Sequence, residues 1–204
     1  MDLVRRLAAR AAVVEELPGG PGQADVGGGH ALIAAVVVLQ QEVAGGGVGK
    51  PGQGGGAAGA LEGAGVDGGE VEAAQALAEL AGFPDASPND LLLEYDYGRY
   101  EGITTAEIRR QRSGWELFRD GCPGGETPAQ VYARAQRFIA EAQRDGGRVL
   151  AFAHGHILRA VGAAFLEEPV EFAVRLSLDT AALSMLQDGP NGRVLGFWNL
   201  APGQ

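Results

Sequence analysis

The chain has 204 residues and a formal net charge of -10, long enough for one well-buried domain and short for two. The excess of carboxylates excludes nucleic acid and an anionic membrane surface as partners, because the summed field repels both. It leaves room for a small phosphorylated substrate, since a local arginine cluster outweighs distant carboxylates at short range. One cysteine, Cys122, excludes a disulfide framework and a Cys-rich zinc site and points to a reducing cytoplasm. The apolar run 31–39 is too short to span a bilayer, and no signal-peptide pattern opens the chain.

The composition changes near residue 82. All thirteen aromatic residues lie at or after Phe83, the first serine is Ser87 and the first threonine is Thr104. Twenty of the 34 glycines precede Phe83, in runs such as Gly45-Gly46-Gly47 and Gly54-Gly55-Gly56. A core needs large side chains to offset chain entropy, and each glycine adds to that entropy. Residues 1–77 are therefore set apart as an anomalous Gly/Ala-rich segment. Three readings compete for it: a flexible arm, a degenerate half-domain, and out-of-frame translation of a GC-rich gene. The third accounts for the excess of Gly, Ala, Val, Arg and Pro together with the absence of aromatic residues.

In chain order, residues 3–17 have helical spacing, and 31–43 are apolar enough for either a helix or a strand. Residues 71–80 predict a helix stopped by Gly82, with Pro84 just beyond. A short apolar run, 91–94, leads into Tyr95-Asp96-Tyr97-Gly98. Residues 105–111 predict a helix capped by Thr104 or Thr105. Thr127-Pro128 opens a long helix to about Arg144, with Gln130 completing a capping pattern. Its apolar stripe is Val131, Ala135, Phe138, Ile139 and Ala142, and Gly146-Gly147 ends it. Residues 148–153 read as a buried strand and 156–166 as the helix that follows. Residues 182–187 and 194–199 are two further strands around the turn 188–192. Helices alternating with short apolar strands point to a layered α/β domain.

The most informative stretch is Phe152-Ala153-His154-Gly155-His156, where a buried strand becomes a helix at once. Ligands of α/β sheets bind beyond the carboxyl ends of strands, where free helix N–H groups favour an anion. Gly155 would let the backbone turn sharply and approach a ligand, and an imidazole beside a phosphate would serve as a donor. Both histidines could instead merely cap the helix. The second candidate is Glu94, a carboxyl group that would act as a general acid if partial burial raised its pKa. Asp96 and Glu101 compete with it on the same loop.

Three motifs in order carry a resemblance. Leu92-Leu93-Glu94-Tyr95-Asp96-Tyr97-Gly98-Arg99-Tyr100-Glu101-Gly102, then Arg119-Asp120-Gly121-Cys122-Pro123-Gly124-Gly125-Glu126-Thr127, then Ala153-His154-Gly155-His156 together resemble the histidine phosphatase, or phosphoglycerate mutase-like, superfamily. The sugar-phosphate branch that includes sedoheptulose bisphosphatases is the most similar, and the match covers about residues 78–204. The resemblance implies a three-layer α/β/α sandwich with a mostly parallel sheet, hydrolysis of a phosphate monoester through a phosphohistidine, and no metal or other cofactor. It assigns His154 to hydrogen bonding of the transferring phosphoryl group and Glu94 to protonating the leaving alkoxide and then activating water. Gly155 and His156 fall on the substrate rim. Glu126 organises the loop before the long helix, and Cys122 is structural.

The family opens on a strand followed by Arg-His-Gly, whose histidine is the nucleophile. The three histidines here are His30, His154 and His156, and none stands between Arg and Gly. The nearest echo of that opening is Leu3-Val4-Arg5-Arg6. Loss of the nucleophile predicts little turnover, and loss of the first strand predicts a missing central element with an exposed sheet edge. A non-catalytic binder of phosphorylated ligands or a protein partner, and a phosphoglycerate mutase, are the alternative functions.

Overall fold

The computed structural model describes residues 35–40, 69–145 and 148–201. The expected helix 3–17, Arg5, Arg6, His30 and the Gly146-Gly147 stop lie outside the described residues.

The described elements mix helix and strand, as expected of an α/β chain. Strand β1 (Ala35–Gln40) precedes helix α1 (Gly69–Leu80), so residues 31–43, open to either state from their sequence, contain a strand. Helix α2 (Thr105–Gln111) carries a full capping box: Glu107 N–H donates to the Thr104 hydroxyl, and Thr104 N–H donates to the Glu107 carboxylate. Helix α3 is a single turn, Leu117–Asp120. Helix α4 (Pro128–Asp145) opens on the expected Thr127/Gln130 pair, with Gln130 N–H on the Thr127 hydroxyl and Thr127 N–H on the Gln130 side chain. Caps of this kind contribute about 1 kcal/mol each by satisfying free N–H groups. Strand β2 (Arg148–Ala153), helix α5 (Gly155–Phe165) and the hairpin of β3 (Leu183–Gly189) and β4 (Gly192–Leu200) complete the order.

The stripe predicted on α4 is the stripe it buries. Val131, Ala135, Phe138, Ile139 and Ala142 all enter the main core, together with Ile157, Leu158, Val161 and Phe165 of α5. Each large apolar side chain there contributes about 1.5–3 kcal/mol by leaving water. Strand β2 divides its side chains by the period of two. Ala151 and Ala153 join this core, whereas Leu150 and Phe152 pack with Leu77 and Ala81 on the α1 side.

The described strands lie in the order β2-β1-β3-β4. β1 runs antiparallel to β2 and parallel to β3, and β3 runs antiparallel to β4. The sheet among these strands is thus mixed, where a mostly parallel one was expected. For β3 and β4 the cause is local: Pro190 and Asn191 alone join them, and a two-residue connection can only return the chain antiparallel. β1 lies between β2 and β3, with Ala35 opposite Ala153 at the end of β2 that leads into the site. The first strand, whose loss was expected to remove a central element, falls outside the described residues. No helix among the described residues is long and apolar enough to cross a membrane.

Candidate functional site

The site is built where β2 gives way to α5. His154 is the N-cap of α5 in extended conformation, and its side chain is buried, 2% exposed. Its carbonyl accepts from Leu158 N–H, the first bond of the helix. Gly155 is the buried first residue of α5 and is not among the glycines with positive φ. The chain turns here by passing from the extended His154 directly into the helix, without left-handed backbone at Gly155.

Glu94 reaches this point from a different part of the chain. The segment before it is a 3-10 turn, Asp90–Leu92, capped by Asn89 rather than a strand. The Glu94 carboxylate accepts from His156 N–H at 3.1 Å and Ile157 N–H at 2.9 Å, and from its neighbour Tyr95 N–H at 2.8 Å. The anion seat anticipated at the start of α5 is therefore occupied by the protein's own carboxylate. Free N–H groups and the helix dipole favour negative charge at that position, whatever its source.

This arrangement reverses one expectation. Burial is the largest single influence on Glu94 and pushes its pKa up. It is outweighed by the hydrogen bonds and charge of His156 and by the backbone N–H groups, which hold the carboxyl at about 2. Glu94 is consequently a carboxylate at neutral pH in this state. The rival carboxylates are less suited to chemistry. Asp96 is exposed and accepts from Gly98 N–H at 2.8 Å, shaping its own loop, and Glu101 is exposed on the following turn.

His156 stands beside Glu94, with Nδ1 3.5 Å from Glu94 Oε2 and 2.5 Å from the Tyr97 hydroxyl. Burial first, and the Glu94 charge second, push the Tyr97 phenol well above its ordinary pKa, so it keeps its proton. That phenol serves either state of the ring, donating to Nδ1 when imidazole is neutral and accepting from it when imidazolium forms. Arg159 lies one turn further along α5. Its guanidinium stacks 5.2 Å from the Phe118 ring centroid, and its Nε–H donates to the Ala173 carbonyl at 2.9 Å. Burial lowers its pKa, while Glu116, Tyr97 and Glu94 oppose that shift. Tyr97 and Arg159 were not singled out from the sequence. The available signal was Arg159 three residues after His156, a spacing that shares one helix face.

Two loops are stitched together in front of these groups. Arg99 N–H donates to the Pro123 carbonyl at 2.9 Å, and Glu126 N–H to the Asp96 carbonyl at 2.9 Å. The backbones meet at Gly98 and Gly125: a Cβ on Gly98 would lie 2.2 Å from Gly125 N, and one on Gly125 2.2 Å from the Asp96 carbonyl oxygen. Cys122 is buried, with its thiol pushed up to about 12 by burial and by Asp96 and Glu101, which suits the structural role assigned to it.

A cavity of about 170 Å³ lies between α1, the loop 86–93 and β2, with His154 at its edge and Gln75, Ser87, Asn89 and Asp90 among its polar lining. Glu94 and His156 do not line it. His154 and Glu94 are thus brought to one helix end, and of the two only His154 lines this cavity. Among the described residues, no group of three or more His, Cys, Asp or Glu is placed to hold a metal ion.

Comparison with known proteins agrees with this architecture. The chain is 38% identical over 110 residues to an acid phosphatase of Mycobacterium tuberculosis, an alignment spanning 53% of this chain and 54% of that protein. It is 39% identical over 92 residues to a sedoheptulose 1,7-bisphosphatase of Saccharomyces cerevisiae, spanning 37% of this chain and 34% of that one. The chain therefore matches about half the length of the first relative and a third of the second. A solved structure of an open reading frame product from Mycobacterium tuberculosis superposes with a TM-score of 0.59 at 34% identity, covering 63% of this chain and 68% of that one. A profile of the histidine phosphatase superfamily (branch 1) matches residues 70–201. The buried histidine at a strand-to-helix junction and the glutamate held against it thus sit within the matched region, and the chain belongs to the histidine phosphatase superfamily, branch 1.

Proposed function

We propose that the start of α5 is the phosphate-ester end of a histidine phosphatase site acting on a small phosphorylated metabolite of the sugar-phosphate kind. We further propose that the 204-residue chain itself turns over poorly. The observation that carries the reading is the convergence of Glu94 with His154-Gly155-His156, from segments 62 residues apart, at a helix end that favours anions. The activities for which the two relatives are named support it, as does helical packing on both sides of β2, which fits a three-layer sandwich.

In this reading a histidine nucleophile attacks phosphorus, the P–O bond to the leaving alcohol breaks, and Glu94 supplies the proton that the alkoxide takes up. Water then attacks the phosphohistidine, and Glu94 receives its proton. His154 stabilises the charge on the phosphoryl oxygens in both steps. Glu94 must be protonated for the first step, whereas here it is a carboxylate. An arriving phosphoryl group that takes over the α5 N–H groups and draws the His156 ring to itself would remove what holds its pKa down. Burial and the new negative charge would then drive it toward the acid form.

Turnover also requires the nucleophile, and no Arg-His-Gly occurs in the chain. The occupied anion seat gives weight to a second reading, a phosphate-ester binder without chemistry. Calorimetry with a sugar phosphate, run beside p-nitrophenyl phosphate hydrolysis, separates the two. Binding that is lost in His154→Ala, without turnover, is the expected result for this chain. Hydrolysis abolished by the same substitution would overturn the claim of impairment, and neither binding nor hydrolysis would overturn the site. Product analysis with phosphoglycerate distinguishes hydrolysis from a mutase.

A further inference from the structure

We propose that Arg134 on α4 is the positioning residue of Glu94, setting where the carboxylate stands relative to α5. This inference rests on the phosphate-ester reading for its catalytic meaning, but not for its geometry.

The segment carrying Glu94 has little hydrogen-bonded structure of its own beyond one 3-10 turn, so its carbonyls need donors from elsewhere. Arg134 supplies them. Its Nη1 donates to the Leu91 carbonyl at 3.1 Å and to the Leu93 carbonyl, and its Nη2 donates to the Glu94 carbonyl at 3.2 Å. The other edge of the guanidinium meets Glu126 in a two-point pair, Nε to Oε1 at 3.0 Å and Nη2 to Oε2 at 2.6 Å. Glu126 in turn accepts from Asp96 N–H at 3.2 Å and donates its own N–H to the Asp96 carbonyl at 2.9 Å. The chain is therefore gripped on both sides of Glu94, at residues 91–94 and at 96, by one ion pair whose side chains are 15% and 18% exposed.

Only a guanidinium does this. Its donors lie in a rigid plane that reaches three carbonyls and a carboxylate at once, whereas a lysine ammonium is a point charge with three donors. Because α4 packs on α5 through the main core, the grip transmits the α4–α5 spacing to the distance between the Glu94 carboxylate and the N–H groups of His156 and Ile157. A merely structural ion pair would stabilise the loop without setting that distance.

The test reads Glu94 directly, by carboxyl ¹³C NMR titration of the 204-residue protein and of folded Arg134→Lys and Glu126→Gln variants. Loss of positioning releases the carboxylate from α5, so its midpoint is expected to rise from about 2 toward the ordinary carboxylate range. A rise of about one unit or more is expected in Arg134→Lys, and a smaller one in Glu126→Gln, which keeps the guanidinium on the carbonyls. An unchanged Glu94 midpoint in a folded variant overturns the proposal. Should Arg134→Lys fail to fold, Glu126→Gln decides alone, because it weakens the same grip. A moved midpoint in a protein that neither binds nor hydrolyses phosphate esters leaves the positioning intact and removes only the functional reading.

Discussion

The Glu94 carboxylate caps helix α5 through the backbone N–H groups of His156 and Ile157, at 3.1 and 2.9 Å. A carboxylate and a phosphate compete for such groups, and in the state described here the carboxylate holds them. Four predictions follow from this contact and its surroundings, and a fifth from the nucleotide sequence.

The Glu94 contact should be visible in acid stability. Its pKa is held at about 2 against an ordinary value of 4.5, so the folded state binds the proton more weakly than the unfolded state. The contribution is complete above about pH 4.5 and is lost as pH falls through about 2. By linkage it is on the order of 3 kcal/mol. Urea unfolding of the wild type should lose that much more stability than Glu94→Gln between pH 5 and pH 2. Parallel pH profiles for the two proteins would show that the carboxylate is not held as described.

Where the loops 96–99 and 123–126 touch, there is no room for a methyl group. Gly98 has φ +50, and a Cβ on Gly125 would lie 2.2 Å from the Asp96 carbonyl oxygen, too near for any side chain. Gly98→Ala or Gly125→Ala should each cost about 2–4 kcal/mol, combining overpacking with, at Gly98, left-handed backbone strain. Chemical denaturation measures this, and a cost below about 1 kcal/mol would mean that the loops separate easily.

Tyr95 has the opposite character. It is 2% exposed, and its hydroxyl has no hydrogen-bond partner among the described residues. Tyr95→Phe removes an unsatisfied polar atom while keeping the ring against Phe118 and Tyr97. Stability should be unchanged or increase by up to about 1.5 kcal/mol. A clear loss of stability would reveal a partner for the hydroxyl.

In the core, Ile139 is 4% exposed between α4 and the rest of the main cluster. Ile139→Ala should cost about 2–5 kcal/mol through lost burial and the cavity left behind. The matching change at exposed Leu80, 52% accessible on α1, should stay within about 0.5 kcal/mol. Equal losses at the two positions would argue against α4 as the centre of the core.

The composition break before Phe83 has its own test. Translating the encoding DNA of the first eighty codons in every frame should uncover an apolar strand followed by Arg-His-Gly if the frame reading of residues 1–77 is right. Mass spectrometry of peptides from those residues, matching the present frame, with no such motif in any frame, would reject it.

By itself the sequence determined whatever depends on near neighbours. The α2 and α4 caps, the buried stripe Val131, Ala135, Phe138, Ile139 and Ala142, and the passage from β2 into α5 at His154 all follow from spacing within a turn or two of chain. The family too was legible, because its motifs are short and local. Tertiary structure alone decided the rest. The directions in which β1 meets β2 and β3 depend on which strands come together, and residues 31–43 did not reveal even their own secondary structure. The 3-10 turn before Glu94 leaves carbonyls that Arg134, some forty residues later, satisfies. The sign of the Glu94 shift was likewise set by residues distant in sequence. Burial, which could be anticipated, raises its pKa, but the α5 N–H groups and His156, 62 and 63 residues away, lower it further than burial raises it.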